Sequence, residues 1–134
     1  MTSFDVDREP VYVFELDHAY VFRRYFELNE VFDELRDYYD ADEYRFEVPE
    51  PDWDDTVEVL RTYYFEPEVV EDVAGFVVVK EQYTKHAEIL KNSVAHWTRR
   101  GYNFFLMKDP LAVERAVQEQ GATPASETDL VVGL

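Results

Sequence analysis

The sequence predicts an α/β fold: a single compact domain, 1–134, with a mixed, mainly parallel sheet and helices packed on it. Three observations carry this. Apolar runs of strand length recur at 11–16, 76–80, 103–107 and 130–134, nearly unbroken, as in strands covered on both faces. Stretches with helical spacing of apolar residues lie between them. Caps, prolines and glycines separate the two kinds of segment at short intervals, and no repeat or long linker divides the chain. The resulting order is β-α-β-α-β-β-α-β-α-β.

Each element has its local reason. Residues 1–9 are polar and read as a loosely held lead-in. Pro10 opens the strand VYVFEL (11–16), and Asp17 then stands where a helix N-cap belongs. From 18 to 39, apolar residues at 22, 25, 26, 32, 35 and 39 fit one long amphipathic helix, or two if Asn29 re-caps it. YRFEV (44–48) alternates as a half-buried strand does and stops at Pro49 and Pro51. Asp52 can cap a helix over 53–64, with Asp54 and Asp55 in the first turn, where the helix dipole favours negative charge. Those roles account for the acids of Asp-Trp-Asp-Asp without a metal. Short strands at 67–70 and 76–80 around the turn Asp72–Gly75 suggest a hairpin over 68–80. Thr84 can cap a helix over 85–100 that ends at Gly101. NFFLM (103–107) is a buried strand, Asp109-Pro110 a cap followed by an N1 proline, and LVVGL (130–134) a last strand.

Composition removes whole classes of function. Zero cysteines exclude disulfides, thiolate zinc sites and thiol catalysis. Four glycines, at 75, 101, 121 and 133, form no phosphate-cradling loop, and no G-x-S-x-G elbow is present. Val78 stands where a nuclease-like acid-x-Lys ending at Lys80 would need its carboxylate. His86 and His96 are ten residues apart, which does not place them on one helical face as i, i+4 ligands are placed. His86, sharing a helical stripe with Leu90, Ser93 and Trp97, reads as a structural histidine at the margin of the core. No metal site and no cofactor is expected. No apolar run is long enough to span a bilayer, and MTSFDVDREP lacks the layout of a secretory signal, so no membrane partner and a cytoplasmic location are expected.

The charge is the leading clue. Thirty Asp and Glu against 13 Lys and Arg give −17, yet 22 aromatic residues argue for a folded chain. Lysine is scarce, four against nine arginines. In this combination the chain resembles the short acidic, conserved, uncharacterised proteins of halophilic archaea. That resemblance implies adaptation to molar salt and no particular activity. A carboxylate surface that imitates DNA, or one that serves a basic partner, is the competing explanation. The acids are read as spread too evenly for a mimic.

All four lysines lie between Lys80 and Lys108, a segment of net +4 in a remainder of −21. On a helix over 85–100, Lys85, Asn92, His96 and Arg99 line one stripe flanked by Arg100, with Tyr102 nearby. These cations could pair with acids of the same chain, dock a protein, or hold an anion. The reading that follows is a non-enzymatic halophilic domain acting by protein–protein contact through this basic face, with a second copy of itself or a host protein. Phosphate, nucleotide or RNA binding by the same face comes second, since molar salt shortens the Debye length to about 3 Å and suppresses counterion-driven affinity. A third reading is a small-molecule enzyme at the strand ends. If strands 11–16 and 103–108 were parallel neighbours, Asp17, His18, Lys108 and Asp109 would meet at one rim.

Overall fold

The structure, a computed structural model, describes residues 8–130 and 132. The chain divides into two compact units, Met1–Val70 and Glu71–Leu134, each with its own sheet. Neither sheet is mainly parallel: one is mixed with a single parallel pairing, the other wholly antiparallel.

In the first unit, β1 (Glu9–Leu16) and β2 (Ala19–Phe22) form a tight antiparallel hairpin with Leu16 opposite Ala19. Asp17 and His18 are its two turn residues, at φ of 49° and 65°. Two left-handed residues make the turn whose twist suits a two-residue hairpin, and Asp and His tolerate that region better than most. The expected helix over 18–39 therefore does not form. Its first part is β2, and the helical part is α1 (Asn29–Leu35), which buries Val31 and Leu35 and runs into a 3-10 turn at Arg36–Tyr38.

β3 (Tyr39–Asp40) pairs with β4 (Arg45–Pro49), which in turn lies antiparallel to β2. The Asp40 carboxylate closes the intervening turn by accepting the backbone N–H groups of Asp42 and Glu43, at 2.9 and 3.2 Å. The bonds from Glu43 and Asp42 hold its pKa below the ordinary aspartate value. α2 (Trp53–Thr62) follows as expected, but Asp52 does not cap it. The Asp52 carboxylate instead accepts the Tyr38 hydroxyl at 3.2 Å. β5 (Phe65–Val69) then runs parallel to β1, Val69 opposite Val13, so the expected hairpin over 68–80 is absent. The sheet order is β3-β4-β2-β1-β5.

Phe46 sits at the centre of this unit's core. It stacks on Phe22 at 5.0 Å, meets Tyr39 at 5.0 Å, and takes Phe26 and Phe32 edge-on. Val11, Val13, Val48 and Leu60 complete the cluster, all but fully buried.

The second unit has the order β7-β8-β6-β9. β6 (Val77–Glu81) and β8 (Tyr102–Met107) are its inner strands, and β9 (Thr123–Pro124) is a two-residue edge on β6. The expected helix over 85–100 is mostly strand. Only α3 (Ala87–Lys91) is helical, and β7 (Ser93–Arg99) returns antiparallel beside β8. α4 (Pro110–Glu119) begins as expected, with Asp109 accepting the Ala112 N–H at 2.7 Å. Ile89 of α3 and Ala112 and Ala116 of α4 pack against Val78, Phe105 and Met107 on one face of the sheet. Of the expected strand 130–134, Leu130 and Val132 have no strand pairing, and residues 131, 133 and 134 lie outside the described residues.

The division sorts the charge. Up to Val70 the chain carries 21 acids and six arginines, −15; from Glu71 onward it carries nine acids and seven cations, −2. The acids are thus far less evenly spread than the sequence first suggests. Carboxylate repulsion opposes compaction, so it acts mainly within the first unit. Each unit contains one tryptophan, Trp53 stacked on Tyr20 at 4.4 Å and Trp97 stacked on Phe104 at 5.6 Å. On dilution from molar KCl, Trp53 emission, read in Trp97→Phe, is expected to shift to the red at higher salt than Trp97 emission, read in Trp53→Phe. Coincident transitions would show one cooperative domain, and salt-independent emission from both would remove the repulsion argument.

Candidate functional site

The four residues expected on one helical stripe, with the flanking Arg100 and Tyr102, lie on three different structures. Lys85 is exposed in the turn before α3. Asn92 ends α3, its side chain donating to the Glu88 carbonyl at 3.0 Å and its own carbonyl accepting the Lys108 N–H at 2.9 Å. His96, Arg99, Arg100 and Tyr102 belong to the hairpin of β7 and β8. Thr84 caps no helix; its hydroxyl donates to the Glu81 carbonyl at 2.7 Å.

This hairpin is built like the first one. Arg99 pairs with Tyr102, and the two turn residues Arg100 and Gly101 stand at φ of 53° and 82°. Gly101 supplies the left-handed backbone that the sequence called for, but in a hairpin rather than past a helix end. Alternation along the strands puts Trp97, Arg99, Tyr102 and Phe104 on one face. On the other, the Thr98 hydroxyl donates to Asn103 Oδ1 at 2.9 Å. Trp97 is pinned twice, by its stack on Phe104 and by its indole N–H donating to the Val132 carbonyl at 2.9 Å.

The arginines of the two units differ in what they touch. In the first unit Arg24 pairs with Glu9, Arg36 with Asp33, Arg45 with Glu47 and Arg61 with Glu66. The Arg61–Glu66 pair is bidentate, at 2.8 and 3.1 Å, and lowers the Glu66 pKa. Lys85, Arg99 and Arg100 form no ion pair among the described residues. From Ile89 to Lys108 the chain has no Asp or Glu at all, only Lys91, Arg99, Arg100 and Lys108. Of these, Lys91 pairs with Glu88 at 3.5 Å, whereas Arg99 and Arg100 have no ion pair among the described residues.

The strand-end rim does not assemble as one sheet edge. β1 is flanked by β2 and β5, and β8 by β6 and β7, so strands 11–16 and 103–108 are neither parallel neighbours nor in one sheet. Asp17 and His18 turn a hairpin, and Asp109 caps α4. No group of three or more potential metal ligands occurs among the described residues, and no helix there is long and apolar enough to cross a membrane.

Sequence reasoning left Lys80 out of the candidate sites. It shares a sheet face with Val78, two residues earlier, and so emerges on the side that α3 and α4 cover. Its ammonium donates to the Lys85 carbonyl at 2.7 Å and the Gln120 carbonyl at 3.0 Å. Lys80 lines two cavities. One, of about 510 Å³, includes Val79, Tyr102, Thr123 and Asp129; the other, of about 440 Å³, includes Lys85, His86, Ile89 and Gln120. The signal was strand parity in VVVK, since period-two alternation puts Lys80 with Val78 rather than at a solvated end. His86 does lie at the core margin, its ring 5.4 Å from Phe105.

Comparisons with protein families, with curated proteins and with solved structures return no match for this chain.

The hairpin tip offers a controlled test of backbone strain. A Cβ on Gly101 would meet nothing within 4 Å, so Gly101→Ala pays only for its left-handed φ of 82°. A destabilisation of about 1–2 kcal/mol is expected, measured as a shift in urea midpoint. Gly75→Ala, where a Cβ would make ordinary contact with Asp72 at 3.5 Å, is expected to be near neutral.

Proposed function

We propose that the protein is a halophile-adapted domain that works by contact with another macromolecule, first of all a second copy of itself, through the hairpin of β7 and β8. The observation that carries this reading is the acid-free run from Ile89 to Lys108, folded so that its outer strand is an edge of the sheet. Edge strands are templates for pairing with another chain. A chain of −17 repels its own copies, and most of that charge lies in the first unit. The stretch His96–Arg99 lies on the edge strand inside this acid-free run, and Arg99 and Arg100 form no ion pair among the described residues.

Two β7 edges paired antiparallel would form an isologous contact, each edge meeting the same edge of its partner. At molar salt such a contact depends on backbone hydrogen bonds and apolar burial rather than on long-range attraction. The same uncommitted cations would serve a host protein with an acidic edge, which is the other form of the same reading.

Sedimentation in molar KCl tests it. The wild-type chain is expected at twice the monomer mass at micromolar concentration, and Arg99→Glu/Arg100→Glu at the monomer mass, because four carboxylates then enter the paired edges. A wild type that stays monomeric at every concentration defeats self-association. A variant that stays dimeric places the contact elsewhere.

A further inference from the structure

We infer that the second unit holds a small monoanionic carboxylic acid, its charged end at Lys80 and its apolar body in the cavity of about 440 Å³. Three features of this cavity specify such a ligand.

The first is a fixed cation without a counter-ion. An ammonium has three N–H donors. Lys80 gives two of them to the carbonyls of Lys85 and Gln120, and the third is unengaged among the described residues. Carbonyls orient the ammonium but leave its charge whole, and no carboxylate of the described residues lies within 4.0 Å of it. A ligand carboxylate can take the third N–H as a charge-assisted hydrogen bond, which survives in molar salt because it is a direct contact.

The second is an oriented imidazole. His86 Nδ1 lies 2.9 Å from the Thr84 carbonyl. A carbonyl only accepts, so Nδ1 carries the hydrogen and Nε2 is left as the ring's second polar atom. Packing on Phe105 fixes the ring plane as well.

The third is the balance of the lining. Ala87 and Ile89 supply apolar wall, and burial of apolar surface is not screened by salt. Lys80 and Lys85 are matched at the rim by Glu88 and Glu119. One extra negative charge is accommodated there by the Lys80 donor, whereas a dianionic phosphate meets two carboxylates and finds neither an arginine fork nor a glycine-rich backbone cradle. The volume falls within the range of small-ligand pockets.

The test is a titration followed in amide correlation spectra of the full chain in molar KCl, with benzoate as the probe and inorganic phosphate as the control. Benzoate is expected to shift the amides of Lys80, His86, Ala87, Ile89 and Gln120 saturably, and phosphate to leave them unmoved. Lys80→Gln is expected to weaken benzoate at least tenfold. Ala87→Phe, which adds a ring to the cavity lining at an exposed helical position, is expected to abolish the shifts. Absence of saturable shifts at these residues, equal shifts with phosphate, or unchanged binding in Ala87→Phe would each overturn the proposal. None of these readings depends on the oligomeric state.

Discussion

Two pairs of residues held in the left-handed backbone region, Asp17–His18 and Arg100–Gly101, set the topology of the two sheets. Each pair closes a two-residue hairpin, and such a turn fixes the register of both strands it joins. Once Leu16 faces Ala19, Val13 and Phe22 share the face on which Phe46 and Val48 arrive from β4. Once Arg99 faces Tyr102, Trp97 must stack on Phe104, and β8 is held between β7 and β6. The helices then cover what the hairpins expose: α1 and α2 over the aromatic cluster of the first sheet, α3 and α4 over Val78, Phe105 and Met107 of the second.

The strands at 11–16, 44–48, 76–80 and 103–107 were legible because continuous apolar runs and strict alternation have few other uses. The helices over 53–62 and 110–119 were legible for a similar reason, being bounded by proline, acids and a cap. The failures share one cause. In 18–39 and 85–100 the apolar residues fit helical spacing, but the segments are rich in aromatic and β-branched residues, which also suit a pleated surface. Spacing cannot distinguish a helix of sixteen residues from a short helix, a strand and a turn when each contributes its own buried residues. Asp-His also read as a helix start, although both residues tolerate the left-handed turn found there. The site suffered accordingly. Arg99, Arg100 and Tyr102 remained neighbours because they are adjacent in sequence, while Lys85 and Asn92 had been joined to them only by a helix that does not exist. Lys80 was left out of the candidate sites because its partners, Lys85 and Gln120, come together only in the folded second unit.

Charge and architecture divide the molecule at the same place. Arg24, Arg36, Arg45 and Arg61 of the first unit pair with its own carboxylates, and its core is heavy in aromatic side chains. The second unit is close to neutral, and there Lys80, Lys85, Arg99 and Arg100 form no ion pair among the described residues. A single average such as −17 conceals this, since −15 of it lies up to Val70 and −2 from Glu71 onward.

The tip of the second hairpin also records a preference. Arg100 occupies a left-handed position, φ 53°, where glycine or asparagine would rest without strain and an ordinary side chain gives up roughly 1 kcal/mol. The position therefore gives up stability: a large, permanently charged side chain stands in a turn that would fold more readily without it. A more stable form of this protein is within reach of one substitution, and it would be a form whose hairpin had lost half of its exposed guanidinium charge.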